Sequence, residues 1–266
     1  PLARTGFIAA AMVPGEDEQI AEVGARQFAD GVKDSVRLTG ELPAPSSMVA
    51  AFCERLFVMS ELYELPKAPY LFSPIPLDRG RPGSTLENWM SLPWSHCQQL
   101  ALPAFHTPAE NALKRGGTGT EVFLSINGLM AAGVRTVVLS RWRTGGKTSY
   151  DLMNQLARRL PDTSADIAWQ QGVSEVRQQP LELASEPRVS GRASEGMLTS
   201  HPWFWAGYIV TDIALAPGQP QPGATIPDAM PAAMRNKPAA GGNKEKVNDA
   251  NNGAAHDADR RAVPKV

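Results

Sequence analysis

Gln99-Leu100-Ala101-Leu102-Pro103-Ala104-Phe105-His106 opens a stretch that closes with Gly133-Val134-Arg135-Thr136-Val137-Val138-Leu139-Ser140-Arg141-Trp142. Leu100–Ala104 is a short apolar run. Residues 105–118 are polar and contain Pro108 and Gly116-Gly117, the punctuation of a loop. Val122, Phe123, Ile126, Leu129 and Met130 recur at helical spacing over 121–132, and Gly133 is a natural stop. Val134–Ser140 is apolar and β-branched enough for a buried parallel strand. Strand, loop, helix and strand in this order predict a βαβ crossover. Sites of such sheets lie at the carboxyl ends of the strands, here near Phe105-His106-Thr107 and Arg141-Trp142-Arg143.

The rest of the chain fits an α/β layout. Residues 1–13 are apolar and small, and read as either strand or helix. Gly15-Glu16-Asp17-Glu18 places acid at a helix start, and Ile20, Val23, Gly24, Phe28 and Val32 predict its buried face. Ser46-Ser47 predicts a second helix to about Arg55, with Cys53 inside it, before a strand at Leu56–Met59. Residues 61–95 are rich in proline and aromatics and suit a long ordered connection, with a short helix over 85–92. Helices are predicted over 149–160 and 164–179. The run Pro202–Thr211 carries the strongest strand signal, with Trp203 and Trp205 lining one face. From Ala216 the composition of Pro, Gly, Ala, Asn and charge predicts a disordered tail. The division expected is a mixed N-terminal segment (1–60), an α/β domain (61–213) and the tail (214–266).

Composition excludes several classes. The 266 residues carry a formal net charge of −1, so no bulk field favours nucleic acid or an anionic membrane. Two cysteines make a disulfide framework a poor expectation and a reducing, cytoplasmic compartment the better one. No apolar run reaches the ~20 residues of a membrane span. The chain begins at Pro1 with no leader pattern, and reads as a piece of something longer.

The chemistry on offer is thin. His106 follows the first central strand and could serve as a general base. Cys97 follows His96 directly, but neighbours along an extended chain point to opposite sides and Cys97 precedes its strand, so a structural thiol is the better reading. Paired CxxC or HxxxH spacing is lacking among Asp78, His96, Cys97, His106 and Glu110, so neither a metal nor any other cofactor is expected. Gly146-Lys147-Thr148 looks like the end of a phosphate loop, yet the position of that motif's first glycine is Arg141. A nucleotide-binding α/β domain using Gly145–Ser149 therefore stands as a distant alternative.

The order of Gly133–Trp142, two helices and His201-Pro202-Trp203-Phe204-Trp205-Ala206-Gly207-Tyr208 resembles the C-terminal half of a CHAT domain, a member of the caspase-like cysteine peptidases. The resemblance covers roughly residues 70–213. It implies a caspase-like sandwich: a mostly parallel sheet with helices on both faces. It also implies a histidine at one strand end ("HFATHG"-like) and a nucleophilic cysteine at the next ("LSACETG"-like). On that match the nucleophile position is Phe105, His106 stands after it, and residues 1–95 hold no histidine. The expectation is a catalytically degenerate domain of a larger, bacterial-type protein, acting in interaction or regulation. Arg141, Trp142 and Arg143 would face a protein or acidic peptide, with tetratricopeptide-repeat regions of the parent chain among the partners the family implies. The alternative is an active endopeptidase with relocated residues, Cys97 as nucleophile and His96 or His106 as base.

Overall fold

The structure, a computed structural model, describes residues 3–39, 53–65, 68–72, 89–91, 93–94, 96–106, 120–187, 189 and 198–213. The expectation of a disordered tail and part of the connection 61–95 lie outside these residues, as do Asp78 and Glu110.

Six strands form the main sheet: β1 (Ala3–Ala9), β2 (Ser35–Arg37), β3 (Cys53–Met59), β6 (Gln99–Leu102), β8 (Thr136–Ser140) and β9 (Tyr208–Asp212). Their spatial order is β2-β1-β3-β6-β8-β9, parallel throughout except for the last pair. Three shorter strands, β4 (Leu62–Leu65), β5 (Ala68–Phe72) and β7 (Phe105–His106), make a small second sheet in the order β5-β4-β7. The longer helices among the described residues are α1 (Glu18–Gly31), α2 (Thr120–Ala131), α3 (Gly146–Arg159) and α4 (Ala165–Val176).

The apolar runs of the strands feed two cores because successive side chains point to opposite faces. Phe7, Phe57, Ala101 and Val138 pack on one face with Ala25 and Phe28 of α1, Met153 and Leu156 of α3 and Ala168 of α4. Ile8, Leu56, Val58, Leu100, Leu102, Val137 and Leu139 pack on the other, with Val122 and Leu129 of α2 and the paired rings of Trp89 and Trp94. The fold is thus an α/β sandwich, a mostly parallel sheet with helices on both faces, as the resemblance implies. Among the described residues no helix is long and apolar enough to cross a membrane.

Several local expectations are corrected. Cys53 is the first residue of β3 rather than part of a helix; residues 46–52 lie outside the described ones. Burial on both faces favours an extended Cys53–Met59, and this tertiary packing outweighs local helix preference. The connection after Glu61 contains the β4–β5 pair, and Phe105–His106 is a two-residue strand against Leu62–Tyr63, not loop. Gly24, Phe28 and Val32 are buried as expected and Ala21 and Ala25 join them, while Val23 turns outward at 50% exposure. Pro202–Phe204 is a single 3₁₀ turn, so Trp203 and Trp205 do not alternate along a strand. Proline at the first helical position suits that turn, the His201 ring accepts from Trp203 N at 3.2 Å, and extension resumes only at Tyr208.

Candidate functional site

The carboxyl ends of β1, β3, β6 and β8 converge on one end of the sheet. Backbone bonds lace them together: Ala10 N to Met59 O (2.9 Å), Glu61 N to Ala11 O (3.1 Å) and Leu62 N to Ala104 O (2.9 Å). Phe105 stands just past β6, where the resemblance puts a nucleophile. Its side chain is 0% exposed and belongs to the α2-side core, and its carbonyl accepts from Ser140 Oγ at 3.0 Å. His106 is held beside Tyr63 by strand pairing; its side chain lies outside the described residues.

Beyond β8 the chain turns through Arg141, Trp142 and Arg143. Arg141 N donates to Gly207 O at 2.7 Å, which ties this turn to the start of β9. Trp142 stacks on Trp203 with ring centroids 5.7 Å apart and donates from Nε1 to Trp203 O at 3.1 Å. Arg141 is exposed, whereas Trp142 and Arg143 are half-buried. Glu61, at the end of β3, has its carboxyl pushed up by burial, and the Arg143 guanidinium offsets part of that rise. The mouth of the sheet therefore offers a stacked indole pair, two arginines and one carboxylate.

The turn into α3 is filled from within the chain. Thr144 Oγ1 lies 3.2 Å from Pro103 O and 2.9 Å from the Tyr208 hydroxyl, which in turn reaches Ser149 Oγ at 3.3 Å. Glu16 accepts from Met12 N and, at 2.8 Å, from Gly146 N. Glu186 accepts from Thr148 N at 2.8 Å and from Thr148 Oγ1 at 2.5 Å. Two buried carboxylates thus sit on the N–H groups that a phosphate loop would turn toward its ligand, where the helix dipole favours negative charge. Gly146 has φ +78°, and a Cβ there would stand 2.4 Å from Ser185 O, so this turn needs glycine twice over. Burial raises the Glu16 carboxyl and pushes Glu186 up to about 7, even though the bonds from Thr148 favour the charge on Glu186.

The other sulfur and imidazole candidates lie elsewhere. Cys97 precedes β6, at the amino end of the sheet, and is 0% exposed; its Sγ is 3.6 Å from Gln99 O. His96 beside it is exposed. Cys97 meets no described histidine; it hydrogen-bonds the thiol of Cys53. Among the described residues no group of three or more His, Cys, Asp or Glu side chains gathers in a way that would hold a metal.

Sequence reasoning missed Glu16, Glu61, Glu186 and the Cys53–Cys97 contact. Pro14-Gly15 ahead of Glu16 signals a tight turn that can aim a carboxylate at a neighbour, but nothing around Glu186 marks its reach back to α3. A comparison with curated proteins returns no match. The family match begins after Phe105 and so includes none of Cys97, His96, Phe105 and His106; it takes in α2, β8, α3, α4 and β9. Residues 109–212 of this chain match the family model of the CHAT domain, the family that the strand, the two helices and the terminal strand of the sequence resemble.

Proposed function

We propose that this chain is a catalytically degenerate, caspase-like domain that serves in protein interaction or regulation within a larger protein. The observation that carries the reading is Phe105: a fully buried phenyl ring just past β6, where a peptidase of this fold needs an exposed thiolate. A phenyl ring has neither a lone pair to attack a carbonyl nor a proton to give. Fold and chemistry part company at this position.

The mouth of the sheet is the binding surface in this reading. Arg141 and Arg143 supply charge for an acidic peptide or protein segment, and Trp142 on Trp203 supplies a rigid apolar platform. A tetratricopeptide-repeat region of a parent chain is one such partner. The domain works without metal or cofactor in this proposal. The competing peptidase would have to run from Cys97, whose burial and distance from the strand carboxyl ends both weigh against it. The nucleotide reading would have to displace Glu16 and Glu186 from Gly146 N and Thr148 N.

The experiment pairs two measurements on reduced protein at neutral pH. A thiol-directed peptide electrophile should leave Cys97 unlabelled, and a fluorescent acidic peptide should bind and lose affinity about tenfold in Arg141→Ala/Arg143→Ala. Labelling at Cys97 that disappears in Cys97→Ala would hand the function to the peptidase.

A further inference from the structure

The chain contains two cysteines, and the fold brings them together from positions 53 and 97. Neither is in a disulfide. Both belong to the α2-side core, at 2% and 0% exposure. The β3–β6 register pairs Arg55 with Gln99, which sets Cys53 and Cys97 two residues upstream of that pair, side by side. Gln98 N donates to Glu54 O at 2.8 Å and ties the two segments between the thiols and the register pair. Neighbouring strands run about 4.8 Å apart, inside the span of roughly 4.4–6.8 Å that a disulfide bridges between Cα atoms. On the adjacent β1, Gly6 leaves the room this needs: a Cβ there would stand 3.1 Å from Cys53 Sγ.

We propose that Cys53 and Cys97 form a dithiol which a hydroperoxide converts to an intramolecular disulfide joining β3 to the start of β6. The two thiols already hydrogen-bond to each other. That bond lowers the pKa of the Cys53 thiol, while the same contact and burial push the Cys97 thiol well up. Of the pair, Cys53 is therefore the thiol that gives up its proton more readily, and Cys97 the proton-bearing partner. The guanidinium of Arg55, close to Cys97, adds positive charge at the site.

The chemistry balances in two steps. Cys53 gives its proton to solvent and its thiolate attacks one peroxide oxygen; the O–O bond breaks, and the departing hydroxide or alkoxide takes a proton back from solvent and leaves as water or alcohol. Cys53 is now a sulfenic acid. The Cys97 sulfur then attacks the Cys53 sulfur, the S–S bond forms, the S–O bond breaks, and hydroxide leaves with the Cys97 proton as a second water. Two thiols are oxidised and one peroxide is reduced.

The test uses the full chain. Native protein is treated with hydrogen peroxide, quenched, unfolded in an alkylating reagent and weighed intact. The expected product is a monomer that has lost two hydrogens, takes up no alkyl group and yields a linked 53–97 peptide. In Cys97→Ser the second step is blocked, and a dione trap should mark Cys53. In Cys53→Ser, Cys97 should stay unmarked at the same dose. Two alkylatable thiols in native protein, at a dose that consumes those of the urea-unfolded chain, overturn the proposal. So does a disulfide found only between two chains. The wild-type mass carries the result even if a serine variant fails to fold.

Discussion

The two ends of the central sheet are built on opposite plans. At the carboxyl end, where α/β folds place chemistry, the position to which the resemblance assigns a nucleophile is an aromatic core residue and the α3 turn is stoppered by Glu16 and Glu186. At the amino end, where such folds need only stability, two thiols touch beside a buried arginine. Reactive groups have gathered where the fold does not demand them, and packing has taken over where it does. Location on a fold thus says where chemistry can be supported, and the side chains decide whether it is.

Four experiments sharpen or break this contrast. The largest effect is expected for Phe105→Ala. It empties a fully buried ring site joined to the α2-side core, and should cost about 3–5 kcal/mol in denaturant unfolding. A cost below about 1 kcal/mol would mean the site is a pocket rather than packing.

The next effect is on pH. Glu186 holds its proton in the fold up to about 7, while the unfolded chain gives it up near 4.5. Over that window the folded state binds more protons, so stability falls as pH rises, by an amount on the order of 3 kcal/mol. Glu16 acts in the same direction. Urea melts from pH 4.5 to 8 should show the slope, and Glu186→Gln should flatten most of it. Should the variant keep the full slope, the stopper at α3 is not what titrates.

Trp203→Ala follows. It removes the stacking partner of Trp142 and should cost roughly 1 kcal/mol; thermal melts read this, and acidic-peptide affinity should fall with it. The smallest effect is expected at the amino end. Arg55 bonds Thr5 Oγ1 at 3.3 Å and has its nearest carboxylate, on exposed Glu54, at 3.8 Å, so its burial is poorly offset. Arg55→Met should change stability by less than about 1 kcal/mol in either direction. A loss several times larger would show that this end is as tightly built as the other.

Much of the fold was legible because its signals are local. β8 announces itself through Thr136-Val137-Val138-Leu139, and α3 and α4 through their apolar spacing. The misreadings arose where partners distant in sequence decide. Cys53-Glu54-Arg55 has no strand pattern of its own; extension there comes from lying between β1 and β6. Trp203 and Trp205 look like a strand until Pro202 and the capping ring of His201 close a turn. Phe105 could be picked out from the resemblance alone, but its burial depends on α2 and β8. Glu186 could not be foreseen, since a carboxylate 38 residues from its partner leaves no trace in spacing.

The reversed direction of β9 has a mechanical consequence. Asp212 lies beside Thr136 and Ala3 beside Cys53, so the chain both enters and leaves the sheet on the same side, away from the arginine–tryptophan mouth. The module is mounted by its base. Tethered to a bead, a surface or a fusion partner through either end of residues 3–213, it holds that mouth outward, like a bulb in a socket. A pull applied across those two attachment points runs across the strands rather than along them, the geometry in which strand hydrogen bonds open one after another from the base.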